Sequence, residues 1–233
     1  MDKYVSYKTP FQYMKSSNML KQYSLLFNHF PKPKHFKKEG VLSNNNRYDY
    51  NLSNIEESIA NISQHWLDFI DDVCDISFFY ELCDVFGIDK SRYKTIVKRS
   101  ENHKKEEGSV LIDVQFCFNH KNNDEKSVFL RRPHVDNKDK LIVILLYFPE
   151  TTECREEDHG ELLLYNTKKA YTQTYMDINF MKNNLEIVDK IIYDHNHGII
   201  FLNSEYSVHA PKTLINNCTH NRRFVNIVFI NNC

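Results

Sequence analysis

Glycine is scarce in this 233-residue chain, at 5 residues, and neither G-x-G-x-x-G nor G-x-x-x-x-G-K-[ST] occurs. Loops that fold backbone amides around a nucleotide phosphate need those glycines, so nucleotide chemistry of that kind has no support. No C-x-x-C is present either. The six cysteines, Cys74, Cys83, Cys117, Cys154, Cys218 and Cys233, are scattered, and reduced thiols in a cytoplasmic setting are the economical expectation. Long apolar runs are missing: the stretch from Leu141 to Phe148 is only strand length, well short of the roughly 18 residues of a membrane helix. Met1-Asp2-Lys3-Tyr4 leads into no apolar segment, so no secretory signal is expected. An excess of either charge is absent as well. Thirty basic and 31 acidic residues give a net charge of −1, and neither nucleic acid nor a membrane is expected as a partner. The basic run from Pro31 to Lys38 is short, carries two prolines, and reads as a solvated loop.

What is present is ordinary globular material rich in aromatics, with a hydrophobic fraction of 41%, 16 Phe and 14 Tyr. At this length one domain with a helical extension is expected. Residues 1–50 are polar and rich in Lys and Asn, and read as short pieces wrapping the domain, with a loop at Asn44-Asn45-Asn46. Ser53-Asn54-Ile55-Glu56 has the form of a capping box, and Ile55, Ile59, Ile62, Trp66, Phe69 and Val73 then recur at helical spacing. A second helix, from about Ser77 to Phe86, would align Phe78, Leu82 and Val85 and stop at Gly87. Both helices read as packing supports for a sheet.

From residue 109 the period becomes that of strands, Val110, Ile112, Val114, Phe116 and Phe118 alternating with Leu111, Asp113, Gln115 and Cys117. Further strands are expected at about 127–131, 141–148, 161–165, 186–193, 198–202 and 223–230, with punctuation at 137–140 and 194–198. The one helical pattern among them falls between Ala170 and Phe180. Short strands at this spacing predict a sandwich or barrel rather than a parallel sheet with crossover helices. The fold class is therefore mainly β with N-terminal helices (α+β), divided into a support segment, 1–108, and a β core, 109–233, in one structural unit.

His134-Val135-Asp136 carries chemistry. In an extended chain residues i and i+2 point the same way, so imidazole and carboxylate can reach one ion. With a second imidazole they can occupy one face of an octahedral Fe(II) and leave the other face open. His209 in Ser207-Val208-His209-Ala210-Pro211 is the candidate third ligand, and a cationic fork such as Arg222 or Arg223 could hold a carboxylate. His195 and His197 flank Asn196 before Gly198 and suit a turn, although His197 is a rival for the distal position. His159 could line the mouth of the site. Gln115 and Asn119 could face a ligand or serve the core.

Taken in order, H-x-D, a hydrophobic strand ending in Tyr147, Gly160-Glu161 before Leu162-Leu163-Leu164, the run from Gly198 to His209, and then arginine form a pattern. The stretch from about Val110 to Ile230 resembles the double-stranded β-helix of the iron- and 2-oxoglutarate-dependent oxygenases, in particular the prolyl-4-hydroxylase-like branch. Residues 1–108 match nothing in it. The resemblance implies a jelly-roll, cupin-like core in which His134, Asp136 and His209 ligate Fe(II). It also implies that Arg223, directly before aromatic Phe224, pairs with the distal carboxylate of 2-oxoglutarate, assisted by the hydroxyl of Tyr147. The gap between His209 and Arg223 is longer than the pattern, with the polar turn 216–221 inserted. Strand parity allows only one of Arg222 and Arg223 to face the barrel interior. The implied activity uses O2 and 2-oxoglutarate to hydroxylate a C–H bond, releasing succinate and CO2. Asp136 favours hydroxylation over halogenation, because the halogenating members carry a small residue there. A small metabolite such as a free amino acid is expected as substrate, since no peptide- or lectin-binding appendage is evident; a peptidyl, prolyl-type acceptor is the alternative. A cupin-like oxygen-using enzyme without 2-oxoglutarate and a non-enzymatic jelly-roll binding module are the other readings.

Overall fold

The computed structural model describes residues 5–38, 47–52, 59–99, 106–119, 129–150, 160–171, 183–212 and 221–232. The N-terminal segment supplies β1 (Val5–Tyr7), β2 (Tyr13–Ser16), α1 (Tyr23–Asn28), β3 (Lys37–Lys38) and β4 (Arg47–Asn51). Helices α2 (Gln64–Val73) and α3 (Ile76–Phe86) follow, and then β5 (Thr95–Lys98) and β6 (Ser109–Asn119). The remaining strands are β7 (Lys140–Tyr147), β8 (Leu162–Thr167), β9 (Leu185–Ile191), β10 (Gly198–Leu202), β11 (His209–Pro211) and β12 (Arg222–Asn231).

Among the described residues nine strands form the major sheet, in the order β1-β2-β10-β7-β12-β6-β4-β3 with β5 pairing parallel to one end of β6. The minor sheet is β11-β8-β9. Alternation explains the layers, because successive side chains of a strand point to opposite faces. On one face of the major sheet Val110, Ile112, Val114 and Phe116 of β6, Ile142, Ile144 and Leu146 of β7, and Val225, Ile227 and Phe229 of β12 pack against the helices. Trp66 of α2 is fully buried there, edge-on to Phe116 at 4.7 Å, and its indole N–H donates to the Leu26 carbonyl at 3.0 Å. On the other face Cys117, Val143, Leu145, Tyr147, Phe224 and Val228 meet Leu162 and Leu164 of the minor sheet. The result is a β sandwich, as the strand spacing predicts, of the jelly-roll, double-stranded β-helix kind that the resemblance implied.

The N-terminal segment is more regular than its composition suggests. β1 and β2 extend the major sheet past β10, while β4 pairs with β6. The phenol of Tyr13 on β2 donates to Asp189 of β9, which Lys15 also grips at 2.6 Å, so this segment ties the two sheets together. Within the basic run, Pro33–His35 makes one 3-10 turn and Lys37–Lys38 forms the edge strand β3, so the run is only partly a loop.

The helix expected behind the capping box can be followed only from Ile59 onward, and there it is broken. Residues 53–58 lie outside the described residues, Ile59–Asn61 is a 3-10 turn, and α2 starts after Ser63, whose extended backbone (φ −71, ψ 152) interrupts any continuous helix. In α3 the buried residues are Phe79, Leu82, Cys83 and Phe86, whereas Val85, expected inside, is 40% exposed. Asp75 caps that helix by accepting from the Ser77 amide, which starts the helix one residue before Ser77 and fixes which stripe faces the sheet. Gly87 ends it in the left-handed region at φ 69, as its position after the last periodic residue implied. Asn44-Asn45-Asn46 and the expected helix at 170–180 fall outside the described residues, apart from Ala170 at its start and Tyr171.

Candidate metal centre

The two histidines of the site are set side by side by the backbone. His134 and His209 form an antiparallel bridge, each amide donating to the other's carbonyl at 3.0 Å. Their rings consequently stand with centroids 4.5 Å apart. β11 is held in turn by β8, with His209 opposite Leu164, and the Phe201 ring lies against the His209 imidazole at 5.1 Å. Asp136, two residues beyond His134, points to the same side. Candidate ligand atoms of His134, Asp136 and His209 all lie within 4.8 Å of one another.

Protonation suits a metal. His134 Nδ1 lies 2.8 Å from the Arg132 carbonyl and His209 Nδ1 lies 2.8 Å from the Ser207 carbonyl. A carbonyl can only accept, so each Nδ1 carries the hydrogen and each Nε2 keeps its lone pair for an ion. Burial pushes both imidazoles below their ordinary value, and for His134 the neighbouring His209 and Arg131 add to the effect, so both rings are neutral near pH 7. Burial alone would raise the Asp136 carboxyl. Lys140, His209, His134 and Arg131 outweigh it and hold the group well below the usual carboxylate range, so it is ionised. Two neutral imidazoles and one carboxylate are the donor set of a mononuclear Fe(II) site with an open face.

Around this group lies a pocket between the sheets, lined by Leu130, Val143, Leu145, Leu162, Phe224 and Asn226, and by four cations, Arg47, Arg131, Lys140 and Arg222. Arg222 is 2% exposed. Its Nε donates to the Gly160 carbonyl at 2.8 Å and one terminal nitrogen to the Tyr147 hydroxyl at 3.0 Å. The guanidinium stacks over Phe224 at 4.7 Å and Tyr147 at 4.9 Å. Arg47, from β4, reaches Gln115 and Cys117 and lies over Phe224. Arg131 and Lys140 approach different oxygens of Asp136, at 4.0 and 3.2 Å.

Arg223, preferred from the sequence, is not at this pocket. Parity turns it to the helical face with Val225, Ile227 and Phe229. Its Nε donates to the Phe148 carbonyl at 2.6 Å and its guanidinium sits over Phe30 at 4.4 Å. Arg222 instead shares the pocket face with Phe224 and Asn226. Tyr147 lies opposite Phe224 in the β7–β12 register, and its hydroxyl accepts from Arg222. Gln115 bridges Asp113 and Asn226 beneath the pocket, and Asn119 lines it. His195 and His197 belong to the turn instead: His195 faces Tyr23 and Phe27, and His197 Nδ1 meets the His195 carbonyl at 3.0 Å. His159 lies outside the described residues. The sequence reading missed Arg47, Arg131 and Lys140. The last two flank H-x-D closely enough to have been noticed, whereas Arg47 reaches the pocket only through the β4–β6 pairing.

Among the described residues no helix is long and apolar enough to cross a membrane. No family model matches the sequence, and no curated protein matches it. Among solved structures the chain is similar to a prolyl hydroxylase from Trichoplax adhaerens in complex with a hypoxia inducible factor oxygen degradation domain peptide fragment. That match has a TM-score of 0.51 at 12% identity and covers 94% of this chain and 83% of that one. A Pseudomonas putida prolyl-4-hydroxylase gives a TM-score of 0.47 at 10% identity, covering 94% and 92%. A Phytophthora capsici prolyl 4-hydroxylase gives 0.46 at 14% identity, this chain spanning 58% of its length. At such identities the likeness to the Trichoplax enzyme is one of fold.

Proposed function

We propose that the protein is an Fe(II)- and 2-oxoglutarate-dependent oxygenase that hydroxylates a C–H bond of an organic substrate. The observation that carries this reading is the convergence of His134, Asp136 and His209, both imidazoles presenting Nε2, in a pocket that also holds a buried arginine. Fe(II), when bound, supplies oxidation of a C–H bond by O2 coupled to decarboxylation of 2-oxoglutarate to succinate. The chain's own residues orient and enclose. His134, Asp136 and His209 hold the ion. Arg222, held by Gly160 and Tyr147, presents its guanidinium to the distal carboxylate of 2-oxoglutarate, the Tyr147 hydroxyl serving as a second polar contact. Leu145, Leu162 and Phe224 exclude water around it.

A free amino acid or similar small metabolite is the first reading of the substrate. A peptidyl acceptor is the second, favoured by the peptide bound to the Trichoplax enzyme of the same fold. Purified protein with Fe(II), ascorbate and O2 is expected to convert 2-oxoglutarate to succinate, faster with the substrate present. Absence of any succinate across amino acids, peptides and nucleosides, with Fe(II) bound, would sink the reading.

A further inference from the structure

Asn226 stands on the pocket face of β12, two alternations beyond Arg222 with Phe224 between them, and is 5% exposed. Which end of its amide faces the pocket is decided by its neighbours. Asp113 forms an ion pair with Arg99 at 3.1 Å and can only accept, so the atom it meets at 2.7 Å is the donating Nε2 of Gln115. Gln115 therefore turns Oε1 the other way, where it accepts from Asn226 Nδ2 at 2.9 Å and from the Arg47 guanidinium. That leaves Asn226 Oδ1, which accepts no hydrogen bond from the described residues and is not sealed off from the pocket that Asn226 lines. The carboxylate of Asp113 thus fixes, through one intervening amide, an acceptor in the pocket wall.

An acceptor held in this way asks for a donor, because an oxygen left unpaired in a filled pocket costs binding. 2-Oxoglutarate has none to give, since its two carboxylates and its ketone only accept at neutral pH. We infer that Asn226 is a specificity-determining residue whose Oδ1 accepts a hydrogen bond from an N–H group of the oxidised substrate. Gln115 and Asp113 are its positioning residues, since they keep Nδ2 from turning into the pocket. The inference rests on the oxygenase reading above and adds a recognition element for the acceptor molecule. An N–H group of this kind comes either from the amino group of a free amino acid or from the main chain of a peptide. A substrate that brought an oxygen acceptor to the same place would be rejected, oxygen facing oxygen.

Calorimetric titration under anaerobic conditions tests this directly, with Mn(II) as a redox-silent ion and saturating 2-oxoglutarate. Each probe is paired with an analogue that lacks the N–H: L-proline with tetrahydrofuran-2-carboxylate, L-leucine with 4-methylpentanoate, and a blocked Ala-Pro-Ala peptide with the ester in which oxygen replaces the last main-chain N–H. At least one donor-bearing probe is expected to bind about tenfold or more tightly than its analogue. Preference within the first two pairs assigns a metabolite, and preference within the third assigns a peptidyl acceptor. Asn226→Leu is expected to erase the difference by weakening the donor-bearing member alone, whereas a merely structural role would weaken both members alike. Gln115→Met, which frees the Asn226 amide to turn, is expected to shrink the preference several-fold. If no probe outbinds its analogue, if either variant leaves the preference unchanged, or if Asn226→Leu lowers the affinity for 2-oxoglutarate instead, the proposal is wrong. Binding of 2-oxoglutarate to the Mn(II)-loaded protein separates the two failures, since its absence removes the oxygenase reading and its presence without donor preference removes only this one.

Discussion

The two faces of the major sheet are made by the same strands and differ in almost every chemical respect. Toward the helices, β6, β7 and β12 present Val, Ile, Leu and Phe, and Trp66, Phe30 and Phe79 close over them. Toward the minor sheet the alternate residues of those strands include Asp113, Gln115, Asn119, Tyr147, Arg222 and Asn226. A strand reads this difference out one residue at a time, so a slip of one position would exchange core for site. Arg222 and Arg223 show how much that single step decides: one guanidinium enters the pocket and its neighbour is spent on the Phe148 carbonyl and the Phe30 ring.

The largest expected effect on the site face is chemical. Asp136→Ala should lose the metal, and with it turnover above background, while circular dichroism and the cooperative unfolding transition persist; metal content by mass spectrometry checks the first half. On the helical face the largest effect is on stability. Trp66→Ala removes a fully buried indole and its bond to the Leu26 carbonyl, and should cost about 3–5 kcal/mol in urea denaturation while leaving Fe(II) stoichiometry intact in the folded fraction. If Trp66→Ala abolished metal binding in protein that remained folded, the two faces would not be independent.

A smaller effect should appear with pH. His134 and His209 are held below the ordinary histidine value of 6.5 when folded, so the unfolded chain takes up protons first as pH falls. Stability of the metal-free protein is therefore complete above about 6.5 and declines as pH falls toward the depressed folded values. Melting temperatures from pH 8 to 5 should follow that sign, and His134→Gln should flatten the decline; a metal-free protein that grew more stable on acidification would contradict the burial of neutral imidazoles.

Much of this architecture was legible as alternation. The strand spacing marks β6, β7, β10 and β12, and H-x-D with the later histidine marks the metal group, because i and i+2 share a face wherever the chain is extended. Parity at Arg222 also carries the polarity of the whole face: Asn226 shares parity with Arg222, whereas Val225, Ile227 and Phe229 share it with Arg223. The rule that an arginine precedes an aromatic residue pointed the other way, and the packed helical face overrides it. Other features were illegible for a physical reason. Arg47 reaches the pocket through pairing with Asn119, and the Tyr13–Asp189–Lys15 clamp joins residues far apart in the chain, so no local period announces either. The break before α2 depends on the extended backbone of Ser63, which periodicity in Ile59, Ile62 and Trp66 conceals.

Anaerobic titration of 2-oxoglutarate into Fe(II)-loaded Arg222→Ala and Arg223→Ala, followed by visible absorption, tests the assignment of the two faces most directly. Arg222→Ala should weaken 2-oxoglutarate binding by about 30-fold or more, in line with loss of a buried charge-assisted pair. Arg223→Ala should leave that affinity nearly unchanged and lower the melting temperature instead. Loss of 2-oxoglutarate affinity in Arg223→Ala, with Arg222→Ala binding normally, would contradict it.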